Sequence, residues 1–148
     1  MTAIDDTPVS AAMRKWVITV QPDTSLASVA QIMRLGRLRA LPVVGPDREL
    51  LGALTFRACC AFVAEAINGS SEDELRDSLR KALSARVDER MSDPEDVIAA
   101  DANLREGLRA LGRASSGHLL VVSPEDPRRL VGVLTEADLL RRVETFLA

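Results

Sequence analysis

The chain has 148 residues, the usual size of one compact domain or of two small halves that share a core. Apolar residues make up 47% and charged residues 28%, the formal net charge is −3, and no long run of like charge occurs, so the composition is that of an ordinary folded chain. No apolar stretch approaches the roughly 18 residues that span a bilayer, and segment 1–7 is short and acidic rather than signal-like. The expectation is a cytoplasmic protein with no membrane contact.

Of 19 basic residues only Lys15 and Lys81 are lysines, and the arginines are spread along both halves. A nucleic-acid surface needs a clustered basic face and a positive balance, and neither is visible. Cys59 and Cys60 are adjacent, which disfavours a disulfide between them, and no CxxC pair exists for zinc. They fit a reducing compartment and a buried role.

In chain order, Val9-x-x-x-Met13 leads into a β-branched run, Trp16 to Val20, that reads as a strand. Asp23 to Ser25 supply N-cap candidates for a helix whose apolar residues Leu26, Val29, Ala30 and Met33 recur at helical spacing. Leu41-Pro42-Val43-Val44, the turn Gly45-Pro46-Asp47 and Leu50 to Leu54 read as a hairpin, and a closing helix starts at Thr55. Asn68-Gly69-Ser70 suits the end of that helix, because Gly and Asn tolerate a left-handed cap. Ser71 to Glu74 then has capping-box spacing, and Leu75, Leu79 and Leu83 form a stripe, which predicts an extra helix.

The second half repeats this order. A shift of 78 positions places Val9 on Val87, Met13 on Met91, Asp23 on Asp101, Leu26 on Leu104, Leu41 on Leu119, and Val43-Val44 on Val121-Val122 without a gap. After a turn two residues longer, Ser123 to Pro127, a shift of 80 aligns Gly52-Ala53-Leu54-Thr55 with Gly132-Val133-Leu134-Thr135. Val97 to Ala100 is the corresponding first strand, Asn103 precedes a helix carrying Leu104, Leu108 and Leu111, and the final helix starts at Thr135. The expected division is repeat one over 1–60 with its closing helix reaching about 68, a helical connector over 69–86, and repeat two over 87–148.

The order strand, helix, strand, turn, strand, then Gly-x-x-Thr-x-x-Asp opening a last helix, present twice, resembles the tandem CBS (cystathionine-β-synthase) domain pair, or Bateman module. The residues that carry the resemblance are Val9-x-x-x-Met13 and Val87-x-x-x-Met91, Ala40-Leu41-Pro42-Val43-Val44, and Gly132-Val133-Leu134-Thr135-Glu136-Ala137-Asp138-Leu139. The resemblance covers nearly the whole chain. It implies an α/β (α+β) fold of two pseudo-symmetric CBS repeats, each a small three-stranded sheet packed on helices, with clefts between them. It also implies an adenosine-containing ligand, AMP, ADP, ATP or S-adenosylmethionine, with no required cofactor.

The repeats differ at the implied site. Repeat two has Thr135-Glu136-Ala137-Asp138 and repeat one Thr55-Phe56-Arg57-Ala58, so the carboxylate that would accept the ribose hydroxyls occurs once. Thr135 and Asp138 read equally as a helix N-cap and an acid in the first helical turn, which needs no ligand. The resemblance places purine contacts at Ile18 and Thr19 and at Leu38, Arg39 and Ala40, with Val133 covering the base; ordinary core packing would use the same apolar residues. His118, the only histidine, stands where the family often carries a basic residue facing phosphate. If it has that role, phosphate affinity rises as pH falls through about 6.5. Arg37 and Arg39 are the alternative cations, and arginines there also stabilise a helix C-terminus.

A single histidine excludes His-rich metal sites, and no GxxxxGK[ST], GxSxG or HExxH motif occurs, so neither catalytic nor metal-binding residues are assigned. Asp93, Glu95 and Asp96 read as a solvated turn. With both repeats spent on CBS units, any regulated activity is expected on another polypeptide, a partner protein. The competing expectation is a ligand-free structural module that pairs as a homodimer through apolar helix faces.

Overall fold

The computed structural model describes residues 3–148; Met1 and Thr2, where the acidic leader begins, lie outside them. Among the described residues six α-helices and five strands follow in the order α1 (Ala3–Asp6), α2 (Leu26–Gly36), β1 (Ala40–Val44), β2 (Leu50–Thr55), α3 (Phe56–Ile67), α4 (Glu72–Leu83), β3 (Val97–Ala99), α5 (Leu104–Arg113), β4 (His118–Val122), β5 (Leu130–Thr135) and α6 (Glu136–Glu144). Small sheets packed on helices give an α+β fold. No helix among the described residues is long and apolar enough to cross a membrane.

The chain divides into two compact units. One comprises the described residues up to Ile18, Pro46–Leu50 and Pro94–Ala148; the other comprises Thr19–Gly45 and Leu51–Asp93. The leading segments are therefore exchanged. Val9, at the head of the first repeat, is fully buried in a cluster with Leu104, Leu119, Val121, Leu134 and Leu139 of the second. Val87, its repeat counterpart, is fully buried with Leu26, Val29, Met33, Val43 and Leu54 of the first. Each such aliphatic side chain contributes about 1.5–3 kcal/mol through removal from water.

Helix starts follow the sequence signals. Ser25 accepts a hydrogen bond from the Ser28 N–H, and Asn103, its counterpart, forms a complete capping box with Glu106. Ser71 accepts from the Glu74 N–H and begins the expected connector helix α4. Of the connector's leucine stripe, Leu79 and Leu83 are half-buried and Leu75 is exposed. Gly69 adopts φ +81° in the turn between α3 and α4, a conformation costly for a residue with a Cβ. Thr55 caps α3 by accepting from the Ala58 N–H at 3.0 Å, although no acid stands at that position.

The expectation of three strands per repeat holds only for the second. There β3 pairs parallel with β4, and β4 pairs antiparallel with β5. In the first repeat β1 and β2 form a two-stranded sheet, and Trp16 to Val20 is not a strand; an isolated parallel bridge, Val20 with Val43, stands in its place. Two prolines explain the loss. In the second repeat Leu120 donates its N–H to the Asp96 carbonyl and Ala100 donates to that of Val122. Pro42 and Pro22 occupy the corresponding positions of the first repeat, and neither has an N–H to donate. The two bonds that need no proline donor survive: Val20 to the Pro42 carbonyl at 3.1 Å and Val44 to that of Val20 at 2.9 Å.

Cys59 is buried in the core of the first repeat, where burial, and then the neighbouring Cys60, raises its thiol pKa. Cys60 is exposed, so the buried role expected of the pair holds for Cys59 alone.

Candidate functional site

The junction of β5 and α6 carries the Gly-x-x-Thr-x-x-Asp element. Thr135, the last residue of β5, caps α6 by accepting the Asp138 N–H at 3.2 Å, and its hydroxyl donates to Asp138 Oδ2 at 2.8 Å. The two residues close a small ring that orients the carboxylate. Asp138 is only 7% exposed, the one buried charged residue among those described.

Its principal partner, Arg14, is not among the residues that the motifs single out. Arg14 donates from Nε to Oδ2 at 2.7 Å and from Nη2 to Oδ1 at 3.2 Å, a two-point guanidinium–carboxylate pair, and Arg141 approaches Oδ1 at 3.5 Å. Burial pushes the Asp138 carboxyl up. The hydrogen bonds from Arg14 and Thr135 and the charges of Arg14 and Arg141 outweigh it, holding the group below the ordinary carboxylate value. In turn the Asp138 hydrogen bond and charge raise the Arg14 pKa against a small opposing effect of burial.

Arg14 is held there by its backbone. Its N–H donates to the Val133 carbonyl at 2.8 Å and its carbonyl accepts from the Val133 N–H at 2.9 Å, an antiparallel bridge that lays the leading segment along β5. Gly132 makes this approach feasible. A Cβ at that position would stand 2.6 Å from Met13 Sδ and 2.8 Å from the Arg14 carbonyl oxygen. The Arg14 side chain remains 60% exposed, so the ion pair joins a buried anion to a largely solvated cation.

A signal for Arg14 does exist in the repeat. The same shifts that align the halves place Arg14 on Ser92, Asp138 on Ala58 and Arg141 on Ala61. In linear order Arg14 and Asp138 belong to different repeats, and their replacements look unrelated. The exchange of leading segments gathers all three charged residues on one unit and all three neutral ones on the other.

The expected ligand residues fall into two groups. His118, Val133, Thr135 and Asp138 lie together on β4, β5 and α6, with His118 opposite Thr135 in the strand register. Ile18 belongs to the same unit and is half exposed. Thr19, Leu38, Arg39 and Ala40 belong to the other unit. There Leu38 packs on the core, the Arg39 carbonyl accepts from the Phe56 N–H at 2.7 Å, and Ala40 begins β1, buried. Arg37 closes α2 in the left-handed region at φ 54°. For His118, burial lowers the imidazole pKa against opposing contributions from Asp96 and the Ser116 backbone, so its charging lies below the ordinary range. Among the described residues no group of three or more His, Cys, Asp or Glu side chains is arranged to hold a metal ion.

Two α+β units, one of them carrying a capped, buried carboxylate at the head of its last helix, define a paired-repeat fold, and comparison with known proteins gives the family. The CBS domain model matches residues 9–65 and again 86–145, and the chain belongs to the CBS domain family. It is 28% identical over 130 residues to inosine-5'-monophosphate dehydrogenase of Methanocaldococcus jannaschii, aligning over 86% of this chain but only 22% of that enzyme. Hypoxic response protein 1 of Mycobacterium tuberculosis is 29% identical over 138 residues, spanning 88% of this chain and 81% of that protein. Among solved structures, CBSX2 in complex with AMP superposes with a TM-score of 0.74 at 21% identity, covering 96% of this chain and 99% of the other.

Proposed function

We propose that this chain is a non-catalytic regulatory module that binds an adenosine-containing ligand, AMP, ADP, ATP or S-adenosylmethionine, with the ribose hydroxyls on Asp138. The observation that carries this reading is the buried Asp138 carboxylate, oriented by Thr135 at a helix start whose repeat counterpart, α3, is capped without any acid. Helix capping therefore does not call for the carboxylate, and a diol-binding role accounts for it. An AMP complex of a protein with the same fold supports the ligand class. In this proposal Ile18 and Val133 contact the purine, and His118 faces the phosphate. The module acts in the cytoplasm, pairs as a homodimer and relays occupancy to a partner protein.

A second reading, a ligand-free interaction module, draws support from the hydrogen bonds that Asp138 already receives from Arg14 and Thr135 and from a largely apolar groove of about 160 Å³ beside α5 and α6, lined by Leu108, Leu111, Leu139 and Leu140. Thermal unfolding of the wild type and of Asp138→Ala against millimolar AMP, ADP, ATP, GTP and S-adenosylmethionine separates the two. A ligand at about tenfold its Kd stabilises by roughly 1.4 kcal/mol, about 3–6 °C for a chain of this size. Adenosine-dependent shifts in the wild type that vanish in Asp138→Ala support the first reading; none with any ligand supports the second.

A further inference from the structure

We propose that Arg14 is an exchangeable counter-ion that makes the Asp138 site selective for nucleoside phosphates. The inference rests on the adenosyl-ligand reading above and adds the class of ligand. A carboxylate offers about four lone-pair positions, and in Asp138 each oxygen is already approached twice: Oδ2 by Arg14 Nε and the Thr135 hydroxyl, Oδ1 by Arg14 Nη2 and Arg141. A ribose diol that donates to this carboxylate has to displace a partner. Thr135 is tied to it in the capping ring and Arg141 is the longest contact, so Arg14 is the partner whose release frees one position on each oxygen.

The Arg14 side chain has room for this move. Its backbone is fixed by two hydrogen bonds to Val133, while the side chain is 60% exposed. A released guanidinium stays anchored within a side chain's length of the bound ribose and needs a new anion. A 5'-phosphate supplies one with the two-point geometry that guanidinium favours. The exchange is balanced: the carboxylate passes from guanidinium to diol, and the guanidinium from carboxylate to phosphate. Adenosine offers no such replacement, and the cationic sulfonium of S-adenosylmethionine meets Arg14 and Arg141 with like charge. The repeat supplies independent support, because Ser92, Ala58 and Ala61 replace Arg14, Asp138 and Arg141 together, the pattern expected of a set that works as one.

Isothermal titration of the wild type, Arg14→Ala and Arg14→Lys with AMP, adenosine and S-adenosylmethionine tests this. The wild type is expected to bind AMP at least about tenfold more tightly than adenosine. Arg14→Ala is expected to bind adenosine about fivefold more tightly than the wild type does, because no ion pair has to open, and to prefer AMP by no more than about threefold. Arg14→Lys should retain an intermediate preference, since a point charge replaces a fork. A purely structural Arg14 would weaken all ligands alike, so an AMP-to-adenosine ratio unchanged in a folded Arg14→Ala overturns the inference while leaving the adenosyl site standing. Absence of binding by all three ligands to all three proteins overturns both.

Discussion

Removing Arg14 should destabilise the protein only when Asp138 carries a charge. The Arg14 guanidinium is mostly solvated, and exposed ion pairs contribute about 0.2–1 kcal/mol, whereas hydrogen bonds to charged groups contribute about 1.5–3 kcal/mol when desolvated. Asp138 is 7% exposed and Arg14 60%, with contacts of 2.7 and 3.2 Å. The pair lies between the limits, so the coupling should be about 1 kcal/mol. The costs are asymmetric: Arg14→Ala leaves a buried carboxylate with only Thr135 and the longer 3.5 Å contact to Arg141, while removal of the acid leaves the arginine in water. Urea unfolding at pH 7 of the wild type, Arg14→Ala, Asp138→Asn and the double variant forms the cycle. Arg14→Ala should cost about 1–2 kcal/mol in the wild type and less than about 0.5 kcal/mol in the Asp138→Asn background, where a neutral amide replaces the carboxylate. Equal costs in the two backgrounds would show that the arginine acts on stability without the charge of Asp138.

The same geometry sets four other outcomes. Gly132→Ala brings a Cβ within 2.8 Å of the Arg14 carbonyl oxygen and should cost about 1–3 kcal/mol in thermal unfolding; a neutral result contradicts the close packing of the leading segment. The depressed Asp138 pKa supplies stability that is present above about pH 4 and lost as the pH falls through the lower folded value, so acid unfolding of Asp138→Asn should be less pH-dependent than that of the wild type below about pH 4. His118, with its imidazole pKa lowered chiefly by burial, binds fewer protons folded than unfolded, so stability should fall as the pH drops through about 6.5, and His118→Gln should flatten that slope. Iodoacetamide followed by mass spectrometry should modify exposed Cys60 in the native protein and Cys59 only after unfolding.

Much of this fold is legible in the sequence because its repeat is marked by local chemistry. The N-caps Ser25, Thr55, Ser71, Asn103 and Thr135 all accept the bonds expected of them, since capping depends on residues three positions apart. The first strand of repeat one misled, because Trp16 to Val20 has strand composition while the missing donors, Pro22 and Pro42, sit just beyond that run and on its neighbour. β propensity describes a segment; a ladder needs a partner with N–H groups at the right register. Asp138 was legible from its motif. Arg14 was not, because the contact joins residues 124 positions apart and arises only once Val9 and its segment are buried on the second repeat.

A crystal structure of the protein grown with AMP would show directly whether Asp138 holds a ribose. The expected result is ribose hydroxyls within hydrogen-bond distance of the Asp138 carboxylate, with the Arg14 guanidinium turned from it to the phosphate. AMP bound elsewhere with the Arg14–Asp138 pair intact, or no AMP at millimolar concentration, would contradict that assignment.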